Sequence, residues 1–444
     1  MSLDVSQLRE ALGSYLVDDW DSFFAALQEK PPPAARLRPG STAVSEMAWR
    51  TVPWYPQCRW TGTPASNRWQ YAAGDFYIQD ASSTLALQLV AGRLGESADA
   101  RICDLCAAPG GKATGIAELL GKQGHLLANE PVKSRLGALS FNLARHGATH
   151  YAITCSDPEK LAATLPDEFD QVIVDAPCSG QSLMSRGKQT DASFSKRQIQ
   201  HSAARQTRIL AAAEALVRPG GFLIYCTCTF AREENEQQVT SFLESFPNWN
   251  IDPADELGPW ESPFLSGTYR LWPHRHHCSG AFAARLNKTG ESSENSRTHR
   301  KKRRRNRRGP DLDAANWGAL SGLQFVQSGQ VVHGWPEGFP STWLSLAIDG
   351  PEIAFQKGQT WHPSYALAMR RDDDWRPHQL HEMSSQEVAS YFRGETISND
   401  QSGWTVVTHR SQPLGWAKGA KNHLPKGGRL SISTPPLSES TDRL

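Results

Sequence analysis

The sequence predicts an α/β fold in which a mostly parallel sheet carries helices on both faces. The first observation is a set of short apolar runs, at Arg101–Cys106, His125–Glu130, Ala152–Cys155, Gln171–Asp175 and Phe222–Cys228. The second is a set of helical patterns between them, at Thr114–Leu120, Val132–Arg145 and Ala203–Val217. The third is an R-P-G-G segment after the last helix, where proline and glycine stop a helix. This alternation is typical of βαβ units.

Weaker patterns flank this central region, which is predicted to span residues 97–287. Helical periodicity from Val5 to Gln28 stops at Pro31–Pro33, and a tryptophan-rich stretch follows. We therefore expect residues 1–96 to form an N-terminal α+β extension. The apolar run Gly280–Leu286 is predicted to close the central sheet as an antiparallel edge strand.

The basic charge of the chain is concentrated in one segment. The formal net charge is +1, yet nine of the twelve residues in 297–308 are Lys or Arg. Residues 288–310 have no apolar periodicity, which predicts a disordered linker that contacts an anionic polymer, or alternatively a localisation signal. Apolar and aromatic residues return over 311–430 and predict a further region of folded chain. The Ser/Thr/Pro-rich residues 431–444 predict a disordered tail.

Composition excludes several classes of protein. The chain has 444 residues, enough for two to four domains. No stretch reaches the roughly 18 apolar residues of a membrane span, and the first thirty residues are too acidic for a secretory signal. The eight cysteines show no disulfide-framework spacing, which predicts reduced thiols in a cytoplasmic protein.

A glycine-rich turn, C-A-A-P-G-G-K at Cys106–Lys112, follows the first central strand. Ligands bind at the carboxyl ends of strands in such sheets, and glycine allows the backbone to approach them closely. The turn is neither G-x-G-x-x-G nor a phosphate loop, which disfavours a dinucleotide or a triphosphate. Glu130 and Asp157 end the next two strands, where carboxylates could bind ribose hydroxyls and an adenine amino group. The combination predicts a nucleoside pocket, although each feature alone fits a plain turn or a solvated strand end.

Two cysteines follow later strands, Cys178 in D-A-P-C-S-G and Cys228 in Y-C-T-C-T-F. Their position suggests a reactive thiol beside a cofactor pocket. Methyl transfer to carbon 5 of a pyrimidine needs this arrangement, because that carbon is weakly nucleophilic until a thiolate adds to carbon 6. Cys226 points to the same side of its strand as position 228, so it is either a bystander or a surrogate thiol.

Residues 70–287 resemble the RNA 5-methylcytosine methyltransferases of the NOL1/NOP2/Sun family. The matching pieces are Q-D-A-S-S (Gln79–Ser83), D-L-C-A-A-P-G-G-K (Asp104–Lys112), N-E (Asn129–Glu130), S-R (Ser134–Arg135), D-A-P-C-S-G (Asp175–Gly180), R-P-G-G (Arg218–Gly221), Y-C-T-C-T-F (Tyr225–Phe230), E-E-N-E (Glu233–Glu236), R-L-W-P-H (Arg270–His274) and G-A-F (Gly280–Phe282). The resemblance implies a Rossmann-like class I methyltransferase domain with S-adenosylmethionine as its cofactor.

The same resemblance implies roles for individual residues. The family's cofactor contacts correspond to Cys106, Ala107, Ala108, Pro109, Gly110, Gly111, Lys112, Glu130, Asp157 and Asp175. Cys228 would be the nucleophile, Cys178 would assist product release, and Asp175 with Lys112 would hold the target base. DNA cytosine methyltransferases use their proline–cysteine residue as nucleophile instead, so this assignment depends on the resemblance. The family usually has serine at position 226.

The C-terminal region resembles the PUA-like β-barrel of the bacterial subgroup that methylates small-subunit ribosomal RNA. The matching segments are H-P-S-Y-A-L-A-M (His362–Met369), Y-F-R-G-E (Tyr391–Glu395), G-W-T-V-V (Gly403–Val407) and the segment Leu414–Arg429. Cations beside an aromatic face suit RNA binding, whereas the alternative places Trp404 and Trp416 in a barrel core. The residues expected to contact RNA are Arg135, Lys418, Lys421, Lys426 and Arg429.

We therefore expect an RNA cytosine-5 methyltransferase that is monomeric and contains an N-terminal RNA-binding extension. Small-subunit ribosomal RNA is the expected substrate, with transfer RNA as the alternative. An RNA-binding ribosome assembly factor with a residual cofactor fold is a rival of another class, and DNA methylation is disfavoured by the C-terminal region. Cys103 and Cys106 have zinc spacing, but Cys103 lies in an apolar strand and a second ligand pair is missing, so we expect no metal.

Overall fold

The computed structural model describes residues 19–41, 43, 47–94, 99–122, 124–290, 317–397, 401–419 and 421–423, together with Arg9, Leu12 and Leu16. The basic run 297–308, the predicted tail 431–444, Lys426 and Arg429 lie outside the described residues. So does most of the predicted linker.

The described residues of the N-terminal region form helices and a small antiparallel sheet. Helix α1 covers Trp20–Gln28, within the predicted helical segment, and its Phe23 packs edge-on against Phe230 and Trp272 of the central domain. The sheet has the order β2-β3-β1-β4, with β1 at Ala34–Leu37, β2 at Arg50–Thr51, β3 at Cys58–Trp60 and β4 at Phe76–Gln79. Two further short helices are described, α2 at Trp69–Ala72 between β3 and β4, and α3 at Leu85–Ala91 after β4.

The central domain is built on one sheet with the strand order β10-β12-β9-β8-β5-β6-β7. Its strands are β5 (Ala100–Asp104), β6 (Gly124–Asn129), β7 (Tyr151–Thr154), β8 (Phe169–Asp175), β9 (Val217–Thr227), β10 (Trp249–Ile251), β11 (Thr268–Leu271) and β12 (Ala281–Lys288). The five strands from β5 to β9 are parallel, so the predicted mostly parallel sheet is confirmed. The predicted edge strand is wrong in one respect. Strand β12 is antiparallel to β9, but β10 and β11 pair with its other side.

Helices cover both faces of this sheet. They are α4 (Gly111–Leu120), α5 (Lys133–Arg145), α6 (Pro158–Thr164), α7 (Lys196–Leu216), α8 (Glu236–Ser245) and α9 (Pro273–His276). Ile102 and Cys103 are adjacent in β5, and they belong to separate cores on the two faces. Burial on both sides explains why the parallel strands read as continuous apolar runs. None of the described helices is long and apolar enough to cross a membrane.

Two local features differ from the sequence expectation. Helix α6 was not predicted, because its seven residues are too few for a readable periodicity. The R-P-G-G segment was expected to be a turn after a helix. Helix α7 instead ends at Leu216, and Arg218–Gly221 lie at the start of β9, where the pairing with β8 shifts register.

The C-terminal region contains three further sheets, ordered β13-β18, β14-β15-β16-β17 and β19-β20-β21-β22. The strands are β13 (Gly318–Leu320), β14 (Leu323–Ser328), β15 (Val331–Pro336), β16 (Glu352–Lys357), β17 (Thr360–Pro363), β18 (Trp375–Pro377), β19 (Leu380–Glu382), β20 (Trp404–His409), β21 (Gln412–Lys418) and β22 (Lys421–His423). The helices are α10 (Ser341–Leu346), α11 (Tyr365–Met369) and α12 (Ser385–Arg393).

Tryptophans attach this region to the edge of the central sheet. The Trp335 indole donates to the Tyr151 carbonyl at 2.7 Å, and the Trp343 indole donates to the Glu168 carboxylate at 2.9 Å. Asp349 pairs with Ile153 through a β-bridge, which satisfies backbone groups of the edge strand β7. The C-terminal region therefore covers an edge that would otherwise be open to another chain.

The Trp343→Ala substitution tests this attachment. Trp343 is fully buried against Phe169 and Phe339, so its truncation should lower the free energy of unfolding by about 3–5 kcal/mol. Phe355→Ala removes an aromatic ring that is 39% exposed and serves as the control. Urea denaturation of both variants measures the difference, and equal losses would contradict the described packing.

Candidate active site

The glycine-rich segment Cys106–Lys112 leads from strand β5 into the first turn of helix α4. Gly110 has a φ of 111°, and a Cβ atom there would approach the Cβ of Asn142 to 3.3 Å. Gly111 begins α4, and a Cβ atom there would lie 3.3 Å from the Gln79 amide oxygen. The two glycines therefore allow α5 and β4 to approach the turn closely, and the turn opens at the carboxyl end of the sheet.

A cavity of about 450 Å³ lies beside this turn, at the carboxyl ends of the parallel strands. That volume falls within the range of about 300–1,000 Å³ that is usual for ligand pockets. Of the predicted cofactor contacts, those that line it are Cys106, Ala108, Glu130, Asp157 and Asp175. The others, Ala107, Pro109, Gly110 and Gly111, form the turn without lining the cavity, and Lys112 lines a neighbouring cavity.

The carboxylate of Glu130 is held in one orientation at the wall of this cavity. It accepts hydrogen bonds from the Ala108 amide at 3.2 Å and the Val132 amide at 2.9 Å. Arg135 forms an ion pair with it at 3.2 Å and also donates to the Ala108 carbonyl. Arg135, which we expected to contact RNA, therefore lies at the mouth of the cavity with its side chain half exposed. Asp157 caps α6 by accepting from the Glu159 amide at 3.0 Å.

Buried charge is concentrated where β5 and β8 end. Burial, together with the nearby Asp175 carboxylate, raises the pKa of Asp104 to about 7. Lys112 forms an ion pair with Asp175 at 2.7 Å. Burial alone would lower the pKa of Lys112, but Asp175 and the other acidic groups around it together outweigh burial, so the pKa is raised. Lys112 therefore stays a cation in contact with Asp175.

The predicted pair of cysteines comes together at the same edge. The Cys178 and Cys228 sulfur atoms lie 3.3 Å apart, and both side chains are half buried. The Cys178 thiol as hydrogen-bond donor lowers the pKa of Cys228, and Lys112 lowers it further, although burial acts in the opposite direction. The pKa of Cys178 is raised by the same hydrogen bond, by burial and by the negative charges near it. Cys228 is therefore the more acidic thiol of the pair.

A second cavity, of about 220 Å³, adjoins the first. Asp175, Leu183 and Cys228 line both cavities, whereas Lys112 and Cys226 line the second alone. The sulfur atom of Cys226 lies 3.6 Å from a carboxylate oxygen of Asp175, and burial raises the pKa of this thiol. Cys228 therefore lies at the boundary between the two cavities.

Sequence reasoning missed the carboxylate that joins the two cysteine loops. Glu234 is fully buried and accepts from the Ser179 amide and from the Gln206 side chain, both at 2.9 Å. Its other oxygen accepts from the Thr229 hydroxyl at 3.4 Å, and the Ser179 and Thr229 hydroxyls bond each other at 2.8 Å. Ser179 directly follows Cys178, and Thr229 directly follows Cys228. The E-E-N-E segment was the available signal, but it suggested no role.

The neighbours of Glu234 extend this network. Asn235 accepts from the Thr227 hydroxyl at 2.5 Å and donates to the Thr229 carbonyl at 3.0 Å. Glu236 receives two hydrogen bonds of 2.6 Å from Arg270, in the R-L-W-P-H segment. A buried, bidentate pair of this kind fixes direction as well as distance. The Asn235 contacts therefore hold the loop that carries Cys228.

The described part of the chain offers little support for a metal beside the thiols. Cys103, of the zinc-like C-x-x-C spacing, is fully buried inside β5. Elsewhere, His333, Asp349 and Glu352 bring potential ligand atoms within 4.8 Å of one another, in the C-terminal region. His333 forms a hydrogen bond with Asp349 at 3.1 Å, and this contact accounts for the proximity of the two side chains without a metal.

The described C-terminal residues fall into two groups. Trp404 and Trp416 are buried and stack edge-on, as the barrel-core alternative expected. Lys418 is exposed, with its ammonium group 5.3 Å from the centre of the Trp404 ring, and Lys421 is exposed as well. The described cations are thus available to an anionic partner, whereas the tryptophans are not.

Comparisons with known proteins match this arrangement. The family described as 16S rRNA methyltransferase RsmB/F matches residues 92–287, and the methyltransferase RsmF PUA domain matches residues 379–430. The ribosomal RNA small subunit methyltransferase F of Citrobacter koseri is 30% identical over 97% of this chain and 95% of its own length. The chain belongs to the ribosomal RNA small subunit methyltransferase F family. Another member, from Escherichia coli O127:H6, is 29% identical over the same shares of the two chains.

Solved structures share the fold of about two thirds of this chain. A methyltransferase homologue from Pyrococcus horikoshii superposes with a TM-score of 0.55, at 23% identity over 63% of this chain and 94% of its own. The structure of NSun6 from Pyrococcus horikoshii with SFG gives a TM-score of 0.55, at 19% identity over 64% and 98% of the two chains. With the two family matches, the predicted Rossmann-like methyltransferase fold and the C-terminal PUA domain are confirmed.

The Glu234→Gln substitution tests the network behind the cysteines. Glutamine keeps the shape but turns an acceptor oxygen into an amide donor that faces other donors. The free energy of unfolding should fall by about 1–3 kcal/mol. Glu233→Gln changes an exposed neighbour of the same type and should have no measurable effect. Denaturant titration of the two variants decides the point, and an unchanged Glu234→Gln protein would contradict the described contacts.

Proposed function

We propose that this protein transfers a methyl group from S-adenosylmethionine to carbon 5 of a cytosine in small-subunit ribosomal RNA. The reaction runs through a covalent bond between Cys228 and the base. The observation that carries the proposal is the contact of the two thiols, 3.3 Å apart at the boundary of the two cavities. Membership of the family supports the choice of RNA.

The larger cavity has the size and the acceptors that the cofactor requires. Glu130 would accept hydrogen bonds from the ribose hydroxyls of the cofactor, and Asp157 would lie near its adenine amino group. The turn Cys106–Lys112 would surround the rest of the cofactor. When bound, the cofactor supplies an electrophilic methyl group on a sulfonium. The half-exposed Arg135 would close the mouth of the cavity over Glu130.

The smaller cavity would receive the target base after it leaves its stack. Asp175 and Lys112 would hold the exocyclic groups and the ring nitrogen, and the ammonium would stabilise negative charge on the ring. The Cys228 thiolate would then add to carbon 6, because only the thiolate is a competent nucleophile. After methylation a base would remove the carbon 5 proton, the carbon 5–carbon 6 double bond would re-form, and Cys228 would leave as a thiolate with the assistance of Cys178.

Contacts with RNA outside the active site are assigned to the N-terminal extension, the basic linker and the C-terminal region. The exposed Lys418 and Lys421 would bind phosphates, and we extend the proposal to Lys426, Arg429 and the basic run 297–308. The protein would act as a monomer, without a metal ion. Because its substrate is ribosomal RNA, it would act in the cytoplasm.

Substitution of each cysteine by serine tests the proposed covalent mechanism. Cys228→Ser should reduce turnover at least a thousand-fold, because a hydroxyl at this position is not ionised. Cys178→Ser should accumulate a protein–RNA adduct that survives denaturing electrophoresis, because release is impaired. Cys226→Ser is the matched control and should form no stable adduct. An adduct with Cys228→Ser but none with Cys178→Ser would show that the roles are reversed.

Bisulfite sequencing of RNA from cells with and without the gene tests the substrate. One cytosine of small-subunit ribosomal RNA should lose its methylation in the deletion strain and regain it with the wild-type gene, but not with Cys228→Ser. Loss of methylation in transfer RNA alone would show that transfer RNA is the substrate. Unchanged methylation everywhere, together with a defect in ribosome assembly, would favour a non-catalytic RNA-binding role.

A further inference from the structure

We infer that Cys178 and Cys228 form a peroxide-sensitive dithiol whose disulfide is a reversible off-state of the protein. The separation of their sulfur atoms is 3.3 Å, and a disulfide bond is about 2.05 Å long. Each cysteine lies in a loop beyond the end of its strand, at Cys178 after β8 and Cys228 after β9. A shift of about 1.3 Å, shared between two loop side chains, would complete the bond.

The surroundings select this pair among the eight cysteines, all of which lie in the described residues. No other two cysteine sulfur atoms of the described chain are in hydrogen-bonding contact. Cys226 is nearest in sequence to Cys228, but its thiol is directed at the Val174 carbonyl and the Asp175 carboxylate. Cys178 is therefore the resolving thiol that an oxidised Cys228 would meet.

Access and thiolate character make Cys228 the first target. It borders both cavities, so a small oxidant reaches it from either side. The thiolate is the form of cysteine that reacts with peroxide, and Cys228 is the member of the pair whose pKa is lowered. The more buried cysteines, with protonated thiols, should react more slowly.

The chemistry balances with hydrogen peroxide as the oxidant. The Cys228 thiolate attacks one peroxide oxygen, the O–O bond breaks, and with one proton the products are a sulfenic acid and water. The Cys178 thiol then attacks the sulfenic sulfur, and a second water leaves as the S–S bond forms. Two cysteines are thereby oxidised by two electrons, and one peroxide is reduced to two waters. A dithiol reductant reverses the bond by exchange.

The consequence rests on the proposed function. The disulfide removes both the nucleophile and the thiol that assists release, so the oxidised protein would not methylate RNA. A bound cofactor analogue or RNA would cover Cys228 and slow the oxidation.

The test treats the full-length protein with hydrogen peroxide in the absence of RNA and maps the peptides by mass spectrometry. The wild type should yield one linked pair of peptides, containing Cys178 and Cys228, that dithiothreitol separates. Cys226→Ser should give the same linkage. Cys178→Ser should give none, and dimedone, which traps sulfenic acids, should label its Cys228.

Two outcomes would overturn the inference. One is a wild-type protein whose Cys178 and Cys228 both stay free at a peroxide dose that labels Cys228 in Cys178→Ser. The other is a linkage of Cys228 to Cys226 in the wild type. Methylation assays separate this failure from that of the proposed function. A linkage that forms in a protein whose methylation does not need Cys228 would refute the function alone.

Discussion

The arrangement of this site depends on one buried carboxylate. Glu234 accepts hydrogen bonds from the residue after Cys178 and the residue after Cys228, so it joins two loops that leave neighbouring strands. Burial of a carboxylate is costly unless donors satisfy it, and here a backbone amide, a glutamine and a hydroxyl do so. The same contacts that satisfy the charge therefore fix the separation of the thiols. A backbone hydrogen bond adds to this link, because the Ser182 amide donates to the Cys228 carbonyl at 3.2 Å.

The sheet determines which groups and cavities lie beside this pair of thiols. Parallel strands deliver Asp104, Glu130, Asp175 and Cys228 to a single edge, and the glycine turn leaves space there for a ligand. Asp175 and Cys228 separate that space into two cavities, one with carboxylates suited to a nucleoside and one with a buried ammonium. A donor and an acceptor of the methyl group can thus approach from opposite sides. The ion pair with Lys112 orients the carboxylate of Asp175, which lines both cavities.

The sequence predicts the parts of this molecule that depend on local pattern. Apolar runs located the five parallel strands, because strands that are buried on both faces are apolar at successive positions. Helix α6 was too short to detect, and the place of β12 in the sheet was misjudged because strand order depends on distant chain segments. The partners of Glu234 and Arg135 were not predictable, because contacts between side chains on separate loops have no periodicity. Family resemblance supplied the thiol roles, which pattern alone left open.

The central claim is that Cys228 stands between the methyl donor and the base. A crystal structure with S-adenosylhomocysteine bound measures this most directly. The account predicts that the ligand occupies the larger cavity with its ribose at Glu130, and that its sulfur atom faces the boundary formed by Asp175 and Cys228. A ligand bound elsewhere, or one whose sulfur atom points away from both cysteines and from the smaller cavity, would contradict the account.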